Sequence, residues 1–153
     1  MGVSATGCLS LDVSGNVFRD VEDLGIELLA CTSALLSQNT FQSLSAGCVV
    51  AGDSKVNLQD NLFAKIEGRA LHADCGSKVS ITGGSFVNCG GLVFSDYSKV
   101  TADAVKFKNL TGKRGLSCES HGAYRVELCL FNPCLFVFLG RLHVLFCCVL
   151  QLP

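Results

Sequence analysis

The chain repeats its own opening. "SKVNLQDNLF" at residues 54–63 is answered by "SKVSITGGSF" at 77–86, and a third "SKV" stands at 98–100. A repeat of this kind constrains the fold more than any composition does, because a unit this short cannot bury an apolar face alone. Aligned on Phe18, Phe41, Phe63, Phe86, Phe107 and Phe131, successive units are 23, 22, 23, 21 and 24 residues long. Seven positions before each Phe stand Leu11, Ala34, Val56, Val79, Val100 and Tyr124. Five before stand Val13, Leu36, Leu58, Ile81, Ala102 and Val126, and three after stand Val21, Leu44, Ile66, Cys89, Leu110 and Cys134. Within residues 1–127, Phe94 is the one Phe off this register.

Two solenoids have a period of this length. A leucine-rich repeat reads L-x-x-L-x-L-x-x-N-x-L, and "VNLQDNLF" satisfies its second half. The Leu it needs three positions earlier is instead Asp53, Gly76 and Tyr97 in the three clearest copies. The rest of each unit carries "GIELLA" (25–30), "GRALHAD" (68–74) or "GGLVFSD" (90–96), with apolar residues at period two, which is strand behaviour. Three short strands with glycine-rich corners make one coil of a parallel β-helix. The expected fold is therefore all-β: a parallel β-helix solenoid of about five to six coils. Each coil adds one strand to each of three parallel sheets, about 4.8 Å from the next. Val56 should lie over Val79 and Phe63 over Phe86. Asn16, Asn39 and Asn61 should stack at one turn, where Asn tolerates a left-handed backbone and its amide bonds the neighbouring coil. Gly84 takes that place in the fourth coil.

The stretch "NVFRDVEDLGIELLACTSALLSQNTFQSLSAGCVV" resembles the right-handed β-helix repeats of the pectin lyase-like superfamily. It is most similar to the copper-nitrous-oxide-reductase accessory and F-box-associated repeat type, in which Asn-x-apolar is followed by Gly-apolar-x-apolar. The resemblance covers residues 8–127. It implies a fold and leaves activity open, since such repeats occur in polysaccharide lyases and hydrolases, in adhesins and in non-catalytic binding arrays. Enzymatic members imply clustered acids on one face, as calcium ligands or as a hydrolytic pair.

The acidic candidates here are Asp53, Asp74 and Asp96, near the corner before each Ser-Lys-Val. They stand one, three and two residues before the serine. That loose alignment, without a paired acid or a neighbouring His, predicts turn residues. Glu22, Asp23 and Glu67 read as a solvated face. His72, His121 and His143 have no acid or cysteine at fixed spacing and read as surface or loop residues. No nucleophile elbow, phosphate loop or dinucleotide fingerprint calls for a cofactor. The ten cysteines form no C-x-x-C and no zinc spacing, so no metal site is expected. Most read as buried small hydrophobes, with some disulfides as the alternative. A net charge of −1 predicts no nucleic-acid partner.

Period two turns Lys55, Lys78 and Lys99 outward on three successive coils, a candidate binding ladder whose mutual repulsion Asp53 and Asp96 would reduce. The leading functional reading is a non-catalytic β-helix scaffold or binding module, a fragment of a larger repeat protein, contacting a protein or an acidic glycan. The alternative is a fragment of a polysaccharide lyase or glycoside hydrolase whose active-site coils lie elsewhere. The first residues, "MGVSATGCLSLDVSG", lack the basic and apolar regions of a leader, which favours a cytoplasmic placement. Gly2, Thr6 and Cys8 fit a short acylation pattern, but the segment reads as mid-repeat. Residues 1–127 form the repeat domain. Residues 128–153 carry one formal charge, Arg141, and read as an apolar tail: a cap, a membrane anchor or an extension not selected to fold. Arg141 and His143 at its centre oppose the anchor, and Pro133 should disturb a continuing strand.

Overall fold

The computed structural model describes residues 1–111 and, beyond them, the backbone of Leu116–Cys118, Ala123–Glu127, Cys129–Cys134, Arg141–Val144 and Cys147–Cys148. All regular structure among the described residues is β-strand, and none is a helix that could cross a membrane. The tail's proposed roles, its side chains and His121 lie outside the described residues.

Every strand pair is parallel, and each joins residues about one coil apart in sequence. In a seven-stranded sheet, Leu11–Ser14, Ala34–Ser37, Lys55–Gln59, Lys78–Thr82 and Lys99–Asp103 stack in order, followed by Ala123–Glu127 and Arg141–Val144. Val79 is the register partner of both Val56 and Val100, as the repeat requires. The second and third segments of each coil do not make separate sheets, in contrast to the expected three. They share an eleven-stranded sheet, within which Leu62–Ala73 and Ser85–Phe94 are continuous strands. The reason is the corner between them. It is a single left-handed residue two positions after the Phe: Asp20, Ser43, Lys65, Asn88 and Asn109, with φ of 51–55°. So tight a bend lets the ladder resume at once, as Cys89 pairs with Ile66. Pro133 falls in the strand Cys129–Cys134, whose register passes from Lys108↔Asn132 to Leu110↔Cys134. The proline therefore stands opposite the corner residue Asn109 and does not end the strand.

The Phe column forms the axis of the core. Phe18, Phe41, Phe63, Phe86 and Phe107 stack with ring centroids 4.9, 4.5, 4.6 and 5.4 Å apart and interplanar angles of 16° or less. All but the half-buried Phe18 are fully buried. Room for the rings comes from the glycine before the third segment. A Cβ on Gly25 would lie 2.9 Å from the Phe41 ring and 2.8 Å from the Gly47 carbonyl oxygen. Phe94, off the Phe register, is nonetheless buried. It stacks in the column Leu28–Val50–Ala73–Phe94, where small Ala73 adjoins it.

The asparagine ladder forms, with its geometry corrected. Asn39 Oδ1 accepts the Asn16 backbone N–H at 2.9 Å, and Asn61 Oδ1 accepts that of Asn39 at 2.9 Å. Asn39 Nδ2 donates to the Val13 carbonyl and Asn61 Nδ2 to that of Leu36, both at 2.7 Å. The left-handed residue is the one before each Asn: Gly15, Gln38 and Asp60. Asn is selected for its amide, which reaches both backbone groups of the neighbouring corner. Gly84 adopts φ 75° and ends the ladder, since a Cβ there would meet the Asn61 backbone.

Removing one ring from this stack opens a cavity that the coils above and below cannot close without breaking register. Phe63→Ala should cost ~3–5 kcal/mol, and Phe18→Ala less, because Phe18 has a ring neighbour on one side. Urea unfolding of both variants checks the order.

Candidate functional site

Two places on the outer surface collect chemistry. The first is the outer face of the seven-stranded sheet. Val56, Leu58, Val79 and Ile81 face the core, which leaves Lys55, Asn57, Lys78, Ser80, Lys99 and Thr101 on the outside. The register pairs Lys78 with both Lys55 and Lys99, and Ser80 with Asn57 and Thr101. A shallow groove of about 310 Å³ runs along these two columns. The predicted lysine ladder is thus brought together. Its predicted neutralisers are not. The ion pairs among the described residues join the Met1 amino group to Asp23 at 3.9 Å and Arg19 to Asp20 at 4.0 Å, so none involves the three lysines.

Asp53 and Asp96 sit instead in the corner, where two consecutive left-handed residues carry the chain between sheets. The pairs are Gly52–Asp53, Cys75–Gly76 and Asp96–Tyr97. Ser77 N–H donates to the Asp74 carbonyl at 3.2 Å and Ser98 N–H to that of Ser95 at 3.0 Å, closing turns of the I′ pattern. The aspartates occupy three different positions of this one turn: Asp74 the first, Asp96 the second, Asp53 the third. Their uneven spacing from the serine is explained by that.

This corner is the second place. An oxygen of Asp74, an oxygen of Asp96 and the Cys75 sulfur lie within 4.8 Å of one another. Asp53 is not in the group; its carboxylate packs on Gly76. Asp74 Oδ1 accepts from the Cys75 N–H at 2.7 Å and from the Ser95 hydroxyl at 3.1 Å. His72 Nε2 lies 3.3 Å from Ser95 Oγ, and Arg69 Nη1 lies 3.4 Å from His72 Nδ1. Arginine can only donate, so Nδ1 accepts. The Ser95 proton goes to Asp74, so Nε2–H donates to Ser95 Oγ. In a nucleophilic relay the imidazole stands between hydroxyl and carboxylate. Here the hydroxyl stands between imidazole and carboxylate, and the nitrogen nearest to it carries a proton. The order is that of a hydrogen-bonded brace between coils.

The sequence reading, which gave these acids no paired acid and no neighbouring His, is corrected at this point: Asp74 has both Asp96 and His72 beside it. The signal was present. Asp74 and Ser95 stand the same three residues before their serines, so stacking puts them in contact. As a cation site the corner offers two hard oxygens and a soft sulfur on an open surface, with Asp74 Oδ1 already accepting two bonds. Glu22 and Glu67 line a separate shallow groove of about 360 Å³, and Asp23 faces the amino terminus.

Burial alone would raise the Asp74 pKa. The Cys75 amide, the Ser95 hydroxyl, His72 and a hydrogen bond with Asp96 outweigh it and hold the carboxyl below its ordinary value of 3.8. A depressed folded-state pKa stabilises the fold above the unfolded value, and that contribution disappears as pH falls through the folded one. Asp74→Asn should therefore flatten the thermal midpoint's dependence on pH in the acid range below about 4. Midpoints of both proteins measured down to low pH check this.

Comparison with curated proteins and comparison with solved structures each give no match. A family profile does match: the right-handed β-helix region, over residues 24–135, which is most of the chain. It spans the Phe stack from Phe41 onward, Asn39 and Asn61 of the asparagine corner, the lysine face and the Asp74 corner. The chain belongs to the right-handed β-helix family.

Proposed function

We propose that the protein is a non-catalytic β-helix binding module whose lysine ladder takes an acidic glycan. One observation carries this: Lys55, Lys78 and Lys99 stand in register on successive coils with no carboxylate paired to them among the described residues. At the coil spacing of about 5 Å, two ammonium groups in water repel by roughly 0.8 kcal/mol. Splaying of the long side chains lowers that figure without reversing its sign. A linear polymer with regularly spaced carboxylates, lying across the coils, turns the repulsion into attraction. The parallel column Asn57–Ser80–Thr101 supplies hydrogen-bonding groups for sugar hydroxyls beside the charges. A glycan uses both columns, whereas a purely structural surface needs neither.

A second reading has a specific observation behind it. Asp74 and Asp96 bring carboxylate oxygens within 4.8 Å of one another, and two neighbouring carboxyls are what glycoside hydrolysis uses, although retaining enzymes hold theirs farther apart, at about 5–5.5 Å. Their hydrogen bonds within the turn speak for structure over catalysis.

The test is binding of the full chain to polygalacturonate, with a neutral polysaccharide as control and reducing ends measured in the same mixtures. Lys78→Gln should weaken polygalacturonate binding by up to about tenfold, on the order of 1 kcal/mol, while thermal stability stays level or rises. Added salt should weaken binding of the unaltered protein. Binding indifferent to both the substitution and salt rejects the ladder as the contact surface. Release of reducing ends, lost in Asp74→Asn, would favour the enzymatic reading. Selective binding of poly-glutamate would point to an acidic protein partner.

A further inference from the structure

The column at the entrance to the seven-stranded sheet changes chemistry along the solenoid. It reads Cys8, Cys31, Ser54, Ser77, Ser98. One ladder of backbone bonds proves the alignment: Thr32 N–H donates to the Cys8 carbonyl at 2.8 Å, Lys55 to Cys31 at 3.0 Å, Lys78 to Ser54 at 2.8 Å and Lys99 to Ser77 at 2.8 Å. The serines are buried. Ser54 Oγ accepts the Cys31 N–H at 2.9 Å and donates to the Ala51 carbonyl at 2.6 Å, and Ser98 Oγ donates to the Ala73 carbonyl at 3.0 Å. In the first two coils the hydroxyl gives way to a thiol, which sets Cys8 and Cys31 at the same position of adjacent coils; desolvation and the neighbouring Cys31 hold the Cys8 thiol above its ordinary value, so its exchange calls for alkaline pH. Cys31 is buried and held by contacts with the Ala5 and Leu29 carbonyls, each 3.6 Å from Sγ. Cys8 is only half-buried and open to a reagent from outside.

We propose that Cys8 and Cys31 form an inter-coil disulfide on exposure to a small-molecule disulfide such as oxidised glutathione. Cys8 and Cys31 are equivalent corner residues of adjacent coils, joined through the Thr32 N–H bond to the Cys8 carbonyl, and the coil spacing of about 4.8 Å falls inside the Cα separation of about 4.4–6.8 Å that a disulfide accepts. The Cys8 thiolate attacks one glutathione sulfur and expels a glutathione thiolate, leaving a mixed disulfide on Cys8. The Cys31 thiol, losing its proton to solvent, attacks the Cys8 sulfur and expels the second glutathione. Two protein thiols are oxidised and one disulfide is reduced to two thiols, so the exchange balances.

The other described cysteines have no such course. Cys48 and Cys89 are buried, and burial pushes their thiols up to about 12 and about 11. Cys75 is exposed, but its turn-position neighbours on the adjacent coils are Gly52 and Asp96, so it ends as a glutathione adduct. The effect of the cross-link is local. In the first described coil Phe18 is half-buried and Leu9 and Val17 are exposed, so that coil is held by less buried surface than the later ones and opens before them. A bond from Cys8 to Cys31 fastens it to the second coil.

The experiment treats the full chain with oxidised glutathione at mildly alkaline pH, alkylates residual thiols and maps peptides without reduction. A cross-linked pair containing Cys8 and Cys31, two hydrogens lighter than its reduced components, is the expected product. Amide exchange across Val3–Thr6 and Leu11–Ser14 should slow on oxidation and recover with a reductant. Cys8→Ser and Cys31→Ser, which install the residue the later coils use, should fold, yield no cross-link and show no change in exchange. Recovery of Cys8 and Cys31 in separate peptides, alkylated or glutathionylated, overturns the proposal. So does a bond from either to any other cysteine.

Discussion

Parallel, in-register stacking of coils is the constraint on which the rest of this structure depends. It places each residue against its equivalent one repeat away, so a side chain is kept according to how it packs on copies of itself. Phenylalanine succeeds because its flat ring stacks at about the coil spacing, as the centroid distances of 4.5–5.4 Å show. Asparagine succeeds because its amide both accepts and donates, and so joins successive corners through Asn39 and Asn61. Ser54 at the first Ser-Lys-Val corner does the same more economically, with one hydroxyl between the Cys31 N–H and the Ala51 carbonyl.

The same constraint governs the corners. Among the described residues, thirteen other than glycine hold a positive φ, many at fixed positions of the coil. Each is a conformation that an L-residue resists. A bend two residues after each of the five stacked Phe recurs whether the residue is Asp20, Ser43, Lys65, Asn88 or Asn109. The stacked core and the ladders on either side impose it, and local preference is overridden. Where the local preference agrees, as at Asn88 and Asn109, the corner is less strained; at Lys65 it is held by its neighbours.

That explains what was legible in the sequence. The Phe register and the apolar columns around it gave the strand pairing residue by residue, because stacking makes period and register the same thing. The left-handed positions were not legible, since Lys65, Gln38 and Ala104 carry no signature of them; the assignment of that conformation to Asn16, Asn39 and Asn61 was displaced by one residue. The sheet count was missed for the same reason: one unmarked bent residue decides whether two segments share a sheet. At the Asp74 corner the columns are readable, but the residue that joins His72 to Asp74 is Ser95, and a serine in a turn carries no signature that sets it apart from any other turn residue.

Selection by self-packing also indicates where to look for function in such a fold. Columns of Phe, Asn and Ser are explained by the solenoid itself and carry no further information. A column that gains nothing from stacking does carry some. Lys55, Lys78 and Lys99 are alike in charge and unpaired among the described carboxylates, while the equivalent face offers Asn57, Ser80 and Thr101, any of which would sit there at no electrostatic cost. The Cys8–Cys31 pair is the converse case: serine serves the same column in three later coils, so a thiol there is not required by the corner. In a repeat whose every position packs against its own copies, departures from the self-packing optimum on the outer face are the residues that the solenoid itself does not account for.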